Sequence, residues 1–377
     1  MYFACTRENL MQSLSVVGHI TSKNINLPVL NNVLLKTEAG SLKLSTTNLE
    51  IAVNCLLRGK IETDGEYSVP AKLFLDFVSL LPSGKVELVL KDDGLEIKSE
   101  EQETVLRGMP ASEFPLLPKI NINGSYKLKV TDLKHAIDQV VFAVSNSESR
   151  PELSGIACFF SKDDGKDRVL FAATDSYRLA EKCLSYSEGK GEAKFIVPAR
   201  ALLEISRILG SYKDELGIPD NVTLSFAENQ MVMTFGGVEL ITRLIEGSFP
   251  DYQQIIPQAF KTEALITRID FQKAVRAASL FSKQGLFDIQ LTLDPANNTC
   301  TVASADQGTG KTKTILKGEV IGVENTVTLN YRYLSDGLAA MSCEKIRIKQ
   351  IDSMSPVLVL PDSATEEYKY VVMPIRQ

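Results

Sequence analysis

The chain has little of what catalysis is usually built from. Two histidines occur in 377 residues, His19 and His135, and neither has a partner at metal-ligand or triad spacing. There is no HExxH and no GxSxG. The six cysteines (Cys5, Cys55, Cys158, Cys183, Cys300 and Cys343) are scattered without a CxxC. That pattern argues for buried thiols in a reducing compartment and against a zinc site or a disulfide framework. No metal or cofactor is expected. No apolar run approaches the ~20 residues of a membrane span. The opening MYFACTRENL lacks the charged-then-apolar pattern of a signal peptide, so the expected location is cytoplasmic. One stretch imitates a nucleotide site. Asp306–Thr312, DQGTGKT, ends like a P-loop, but the first glycine of GxxxxGK[ST] would fall on Ala305, so a turn is expected there. The net charge of −6 excludes wrapping of nucleic acid by the whole surface, but not a basic face on an acidic body.

What is present is repetition. Phe195–Gly210, FIVPARALLEISRILG, reads as a strand end, Pro198 at the first helical position, and an amphipathic helix. Leu202, Ile205 and Leu209 share one face; Arg200, Glu204 and Arg207 share the opposite one. The same design recurs at Tyr67–Pro82 and Val327–Ser342. Lys72, Arg200 and Arg332 are the first bases of the three helices, with Asp76, Glu204 and Asp336 four residues on. Each third also opens with a strand and a helix, for which Thr6, Asp132 and Asp270 are the expected N-caps. Short alternating strands fill the rest, as in the hairpin about Asp92-Asp93-Gly94. Pro110–Pro118 and Gly247–Pro257 read as linkers. Pro70 and Pro198 lie 128 residues apart, and Phe114 and Phe249 lie 135 apart. The reading is an α+β fold: three tandem domains over 1–120, 121–258 and 259–377, each with two helices packed on antiparallel sheets.

Seven stretches along the whole length carry a family resemblance: Leu27–Leu30, Phe171–Ala180 (FAATDSYRLA), Phe195–Arg200 (FIVPAR), Phe249–Pro257 (FPDYQQIIP), Asn330–Leu334 (NYRYL), Asp352–Ser355 (DSMS) and Tyr370–Arg376 (YVVMPIR). The chain resembles the bacterial DNA polymerase III beta subunit, the sliding clamp. The resemblance implies clamp-type domains and a head-to-tail homodimer, a six-domain ring with helices lining the hole. It implies a non-catalytic processivity factor that holds duplex DNA without sequence specificity, through loose contacts to phosphates. The DNA-facing residues it implies are Lys23, Lys72, Lys134, Arg150, Arg200, Arg207, Lys273, Arg276 and Arg332. Counting also Arg7 and Lys283, and leaving out Arg150, the chosen helix positions hold ten bases against seven acids (Glu8, Asp76, Asp132, Asp138, Glu204, Asp270, Asp336), a sign opposite to that of the whole chain.

The resemblance further implies a hydrophobic pocket where the polymerase III alpha subunit, the clamp loader, other polymerases and repair proteins compete through a short linear motif. Its wall would be Leu153, Thr174, Tyr177, Arg178, Leu179, Pro250 and Ile255 from the middle third, with Asn330, Tyr333, Met354, Val371, Met373, Ile375 and Arg376 from the last. Apolar and methionine side chains suit an adaptable groove. Taken alone, the alternation Val371, Met373, Ile375 is better read as one face of a core strand. The subunit contact is expected near Thr104, Leu106 and Leu280. Two departures stand out. The family often has Gly-His where this chain has Ser176-Tyr177, and many members carry tyrosines where Pro151 and Glu152 follow Arg150. The alternatives are a nucleotide-dependent enzyme built on Gly308–Thr312 and a clamp relative that binds partners but not DNA.

Overall fold

The structure is a computed structural model that describes residues 1–21, 27–115, 120–147, 149–163, 165–189, 191–212, 219–283, 285–364 and 366–376. Three stretches follow closely similar element orders, the middle one with four strands between its helices where the others have five. The first holds β1 (Tyr2–Thr6), α1 (Arg7–Val17), β2 (Asn32–Glu38), β3 (Ser41–Thr47), β4 (Ile51–Arg58), β5 (Lys60–Thr63), β6 (Glu66–Pro70), α2 (Ala71–Leu80), β7 (Lys85–Lys91), β8 (Gly94–Lys98) and β9 (Glu103–Leu106). The second holds β10 (Gly124–Lys129), α3 (Val130–Val140), β11 (Gly155–Asp163), β12 (Lys166–Thr174), β13 (Arg178–Ser185), β14 (Ala193–Pro198), α4 (Ala199–Ser211), β15 (Asn221–Phe226), β16 (Gln230–Phe235) and β17 (Val238–Arg243). The third holds β18 (Thr262–Thr267), α5 (Arg268–Ser279), β19 (Asp288–Asp294), β20 (Thr299–Asp306), β21 (Gly310–Lys317), β22 (Glu319–Gly322), β23 (Asn325–Asn330), α6 (Tyr331–Ala340), β24 (Lys345–Gln350), β25 (Val357–Pro361) and β26 (Tyr368–Val372). These are three tandem modules, as the repeat predicts.

The chain packs as two compact units. The first is Met1–Thr131, Ser187–Lys190 and Glu204–Leu244; the second is Asp132–Tyr186, Gly191–Leu203 and Ile245–Gln377. In the first unit one sheet runs β5-β1-β7-β8-β9 and the other β10-β15-β16-β17-β4-β3-β2-β6. The longer sheet crosses from the middle module to the first where β17 pairs antiparallel with β4. In the second unit one sheet runs β14-β11-β12-β13-β26-β25-β24-β18-β22 and the other β21-β20-β19-β23. There β26 pairs with β13 and joins the last module to the middle one. Backbone hydrogen bonding continuous across a joint makes it as solid as the sheet itself. By topology β17, β26 and β9 are the final strands of their modules, and β4, β13 and β21 are equivalent to one another. Two such joints are made, which leaves β9 and β21 each at a sheet end.

The helices bury one stripe each. In the first unit α1 packs on α2 through Leu10, Leu14, Phe74 and Val78, all at most 1% exposed. In the second unit α5 packs on α6 through Phe271, Val275, Leu334 and Leu338. Gly337 in α6 is required by this packing. A Cβ there would sit 2.2 Å from the ring of Tyr370, which is 1% exposed.

Two expected caps are corrected. Thr6 does cap α1, accepting from the Asn9 N–H at 3.4 Å. Asp132 and Asp270 instead lie inside the first turns of α3 and α5. The strands run straight into these helices. The first N–H of each is taken by a backbone carbonyl: Arg7 by Gly84, Val130 by Asp220 and Arg268 by Glu344. A carbonyl from the turn before a neighbouring strand does the work of a side-chain cap. Pro198 likewise ends β14 rather than opening α4. Part of the Pro110–Pro118 linker, residues 116–118, lies outside the described residues.

Candidate functional site: exposed helix bases and a groove in the second unit

The strand registers make Lys72, Arg200 and Arg332 equivalent, each two residues past the strand residue that precedes its helix. All three are exposed. Lys72 and Arg200 make no ion pair among the described residues, and Arg332 lies 3.6 Å from the Phe287 ring centroid. None of the three pairs with the acid four residues on, Asp76, Glu204 or Asp336. Arg276 is also exposed and without an ion pair among the described residues. Lys134 is bound to Asp138 at 2.9 Å, Lys273 lies 3.9 Å from Asp270, and Arg150 is held by Glu152 at 3.0 Å. Lys23 lies outside the described residues.

Arg207, expected to face DNA, pairs with Glu204 on the helix face opposite Leu202, Ile205 and Leu209. Glu204 is 4% exposed. Its carboxylate accepts from Arg207 at 2.6 Å and meets His19 Nδ1 at 2.7 Å. Arg207 also donates to the Ser15 and Val16 carbonyls at the end of α1. A guanidinium that satisfies the last carbonyls of a helix is a structural group. Arg7 does the same for Val78 and Ser79 at the end of α2. Spacing along the chain could not reveal this, because His19 and Glu204 are 185 residues apart.

The second unit brings several of the expected pocket residues to the β13–β26 seam. Leu179 stands opposite Val371, and Arg178 opposite Val372. Leu179, Val371, Leu358, Tyr252, Ile256 and Ala172 form one buried apolar cluster, and Leu153 is buried too. Val371 therefore belongs to a core strand, as the alternation alone suggested. Met373 and Ile375 lie beyond the strand end and are pinned by their N–H groups, to the Tyr177 and Thr328 carbonyls at 2.9 and 2.8 Å. Tyr177, Ile255 and Met354 are exposed at 63%, 44% and 55%. Arg376 is also exposed. Asn330 spends its side-chain oxygen on capping α6, accepting from the Arg332 N–H at 2.9 Å. A separate groove of about 980 Å³, lined by Phe159, Phe249, Tyr252 and Leu360 among others, shares only Pro250 with the expected residues.

Arg178 organises the polar half. Its side chain donates to Asp175 at 3.0 Å, to Asp336, and to the Phe142 carbonyl at 2.7 Å. Its guanidinium lies between the rings of Phe142 and Tyr333, at 5.3 and 4.7 Å from their centroids. Burial works against its charge, but Asp336 and Asp175 more than offset that and hold its pKa above the usual value. The Tyr333 ring in turn stacks on Tyr177 at 6.4 Å with planes 18° apart. Burial pushes the Tyr333 hydroxyl up.

The turn that presents Tyr177 is a property of the module. Thr174 Oγ1 accepts from the Ser176 N–H, and Asp175 Oδ1 accepts from Tyr177 and Arg178. In the first module Thr47 and Asn48 make the same bonds to Leu49, Glu50 and Ile51. Ser176 and Leu49 both carry positive φ, 77° and 76°. That is why glycine suits the position and why serine is strained there. Asp306–Thr312 is the corresponding strand-to-strand turn, with Asp306 Oδ1 accepting from Gly308 and Thr309. A P-loop must lead from a strand into a helix, so the nucleotide reading fails.

Three modules, each a strand and a helix followed by four or five strands, a second helix and three closing strands, share sheets at their joints, present bases on their second helices and define a protein of the clamp architecture. The comparisons with known proteins place it further. Sequence patterns for the DNA polymerase III beta subunit match throughout: the N-terminal domain over residues 1–118, the central domain over 127–251 and the C-terminal domain over 253–376. The chain belongs to the bacterial DNA polymerase III beta subunit family. It is 30% identical over 381 residues to the beta sliding clamp of Synechococcus elongatus, covering 100% of this chain and 99% of that one. The crystal structure of the Bacillus subtilis sliding clamp is 25% identical with a TM-score of 0.91, covering 100% of this chain and 99% of that one. A Pseudomonas aeruginosa clamp bound to griselimycin is 26% identical with a TM-score of 0.91, covering 100% of both chains. The chain is a sliding clamp, a non-catalytic processivity factor of DNA polymerase III in DNA replication.

Proposed function

We propose that two copies of the chain close head to tail into a six-domain ring that encircles duplex DNA and slides along it in the cytoplasm. The observation that carries this reading is the pair of open edges. Strands β9 and β21 are the equivalents of the strands that join the modules, and each ends its sheet. A heterologous contact between two such edges closes a ring if the rotation allows. Domain limits at 1–120, 121–258 and 259–377 fit the repeated element order. Thr104 and Leu106 lie on β9 and Leu280 just past α5. Leu106 is already buried in its own module, so Val105, 46% exposed, and Leu280, 72% exposed, are the side chains available for the contact. Among the described residues, Lys72, Arg200, Arg276 and Arg332 are exposed helix bases without an ion pair and are the ones offered to phosphates. Nothing about them demands base contacts, as sliding requires.

The β13–β26 groove is read as the site for polymerase subunits, the clamp loader and repair proteins that carry a short apolar motif. Its support is that Leu153, Leu179 and Val371 are buried while Tyr177, Ile255 and Met354 of the same unit stay exposed. The griselimycin-bound Pseudomonas aeruginosa clamp supports the presence of a ligand site in this family. The test is topological. The chain loaded on nicked circular DNA is retained, and linearising the DNA releases it. Equal retention on both forms refutes encirclement, because simple affinity does not distinguish them.

A further inference from the structure

Hydrogen-bonded registers fix which residues are equivalent between modules. The residue before each second helix is Pro70, Pro198 or Asn330, standing opposite Asn32, Gly155 or Asp288. Two residues on, Leu34, Ala157 and Gln290 stand opposite Ser45, Ala172 and Ala303. Those stand opposite Asn54, Glu181 and Lys313. A second, independent walk starts at Thr6, Lys129 and Thr267, opposite Lys85, Asn221 and Lys345. Two residues on, Glu87, Thr223 and Arg347 stand opposite Lys98, Thr234 and Leu360. Lys98 and Thr234 then stand opposite Glu103 and Glu239. Leu360 reaches Lys369 one step beyond the pair Val359 and Tyr370.

The two walks meet at the joints. Between the first and middle modules Asn54 is opposite Glu239 and donates to it at 3.3 Å. Between the middle and last modules Glu181 is opposite Lys369, at 2.8 Å. The third equivalent pair is Lys313 and Glu103, and these sit on the two open strands, β21 and β9. Resting on the head-to-tail reading, we propose that Glu103 of a second copy stands opposite Lys313, and that this ion pair sets the register and polarity of the subunit junction.

The surroundings agree in sign. Strand β21 carries Lys311, Lys313 and Lys317 and no acid, while Glu100, Glu101 and Glu103 line the approach to and start of β9. Edge pairing of β21 with itself sets lysine against lysine, and of β9 with itself glutamate against glutamate. Like charges directly opposite are destabilising. Only the mixed pairing matches, so the edges are self-avoiding and mutually attractive. In the same register Thr312 stands opposite Thr104. Lys98 lies 3.3 Å from Glu103 on the neighbouring strand, and Lys313 shares that carboxylate as Lys91 and Lys98 share Glu96. Lys313 makes no ion pair within its own chain among the described residues.

Analytical ultracentrifugation of the full chain tests this. Lys313→Glu and Glu103→Lys each weaken the dimer about tenfold, which corresponds to ~1.4 kcal/mol. The double variant returns to within about threefold of the parent. Thr312→Cys with Thr104→Cys gives an oxidised covalent dimer, and Thr314→Cys with Thr104→Cys does not. A parent that stays monomeric at tens of micromolar overturns the ring itself. A dimeric parent whose single reversals are silent, whose double reversal is not restored, or whose cysteine pairs cross-link without preference leaves the ring standing and overturns this pair.

Discussion

Replacing Arg178 by methionine should unsettle the second unit more than any other single change at the groove. The methionine keeps most of the stem volume but removes every polar contact of the guanidinium. Asp175, with its side chain 14% exposed, and the Phe142 carbonyl then lose their donor. Removing one partner of a buried ion pair costs about 3–5 kcal/mol, because the other charge stays behind. Asp336 is 46% exposed and regains water, which argues for the lower end, about 3 kcal/mol. A unit of this size shifts by about 2–4 °C per kcal/mol, so its melting transition should fall by roughly 6–12 °C in calorimetry. Asp336→Asn removes only the wetter partner and should cost about 1 kcal/mol. Peptide affinity should fall in the methionine variant, since Tyr333 loses the cation beneath it and the stacked Tyr177 loses its base. A drop under about 2 °C, or a methionine variant no worse than Asp336→Asn, would refute the central role given to this residue.

Ser176→Gly should raise the melting temperature, by relief of about 0.5–1 kcal/mol of left-handed strain, and circular dichroism melts would show it. Glu96 is held at a pKa of about 2 by Lys91 and Lys98, below the ordinary carboxylate value. Its contribution is therefore intact above the unfolded carboxylate pKa and lost as pH falls towards about 2. Glu96→Gln should lower stability at pH 7 and flatten the acid limb of a pH–stability curve; an unchanged acid limb would count against the ion pairs. Arg207→Ala should cost about 2 kcal/mol by stranding Glu204, yet leave the salt dependence of DNA association unchanged, whereas Arg200→Ala should do the reverse in the same two assays. Removing residues 373–377 should abolish binding of a partner-motif peptide in fluorescence anisotropy while sedimentation still reports the parent dimer.

The repeat was readable because proline and hydrophobic periodicity are local. Pro70 and Pro198 mark helix starts, and Leu202, Ile205 and Leu209 fall on one face whatever they pack against. Partners were not readable. A charged stripe such as Arg200, Glu204 and Arg207 looks equally solvated at all three positions. Burial of Glu204 depends on His19 and on the end of α1, which only the fold brings near. The missed caps have the same origin: Asp132 and Asp270 are good capping residues, but a carbonyl from a distant turn arrived first. The expected pocket residues came from the family resemblance, and Arg178's buried network has no signal in the sequence beyond them.

Equivalent positions also show how the two joints differ in their polar contacts. Glu204 and Asp336 occupy the same place on the second helices of the middle and last modules, and Ile51 and Arg178 the same place after the shared turn. In the second unit Arg178 reaches Asp336, which draws Tyr333 and, through it, Tyr177 into a polar-edged surface. In the first unit Ile51 is buried and offers Glu204 nothing, so the carboxylate turns to Arg207 and His19. Position 51 holds a buried apolar residue where position 178 holds a guanidinium bound to Asp336. Ile51→Arg should therefore strand a cation at the first joint and lower the melting temperature without reproducing the Tyr333–Tyr177 stack, because the residue equivalent to Tyr333 is Ala201, wholly buried.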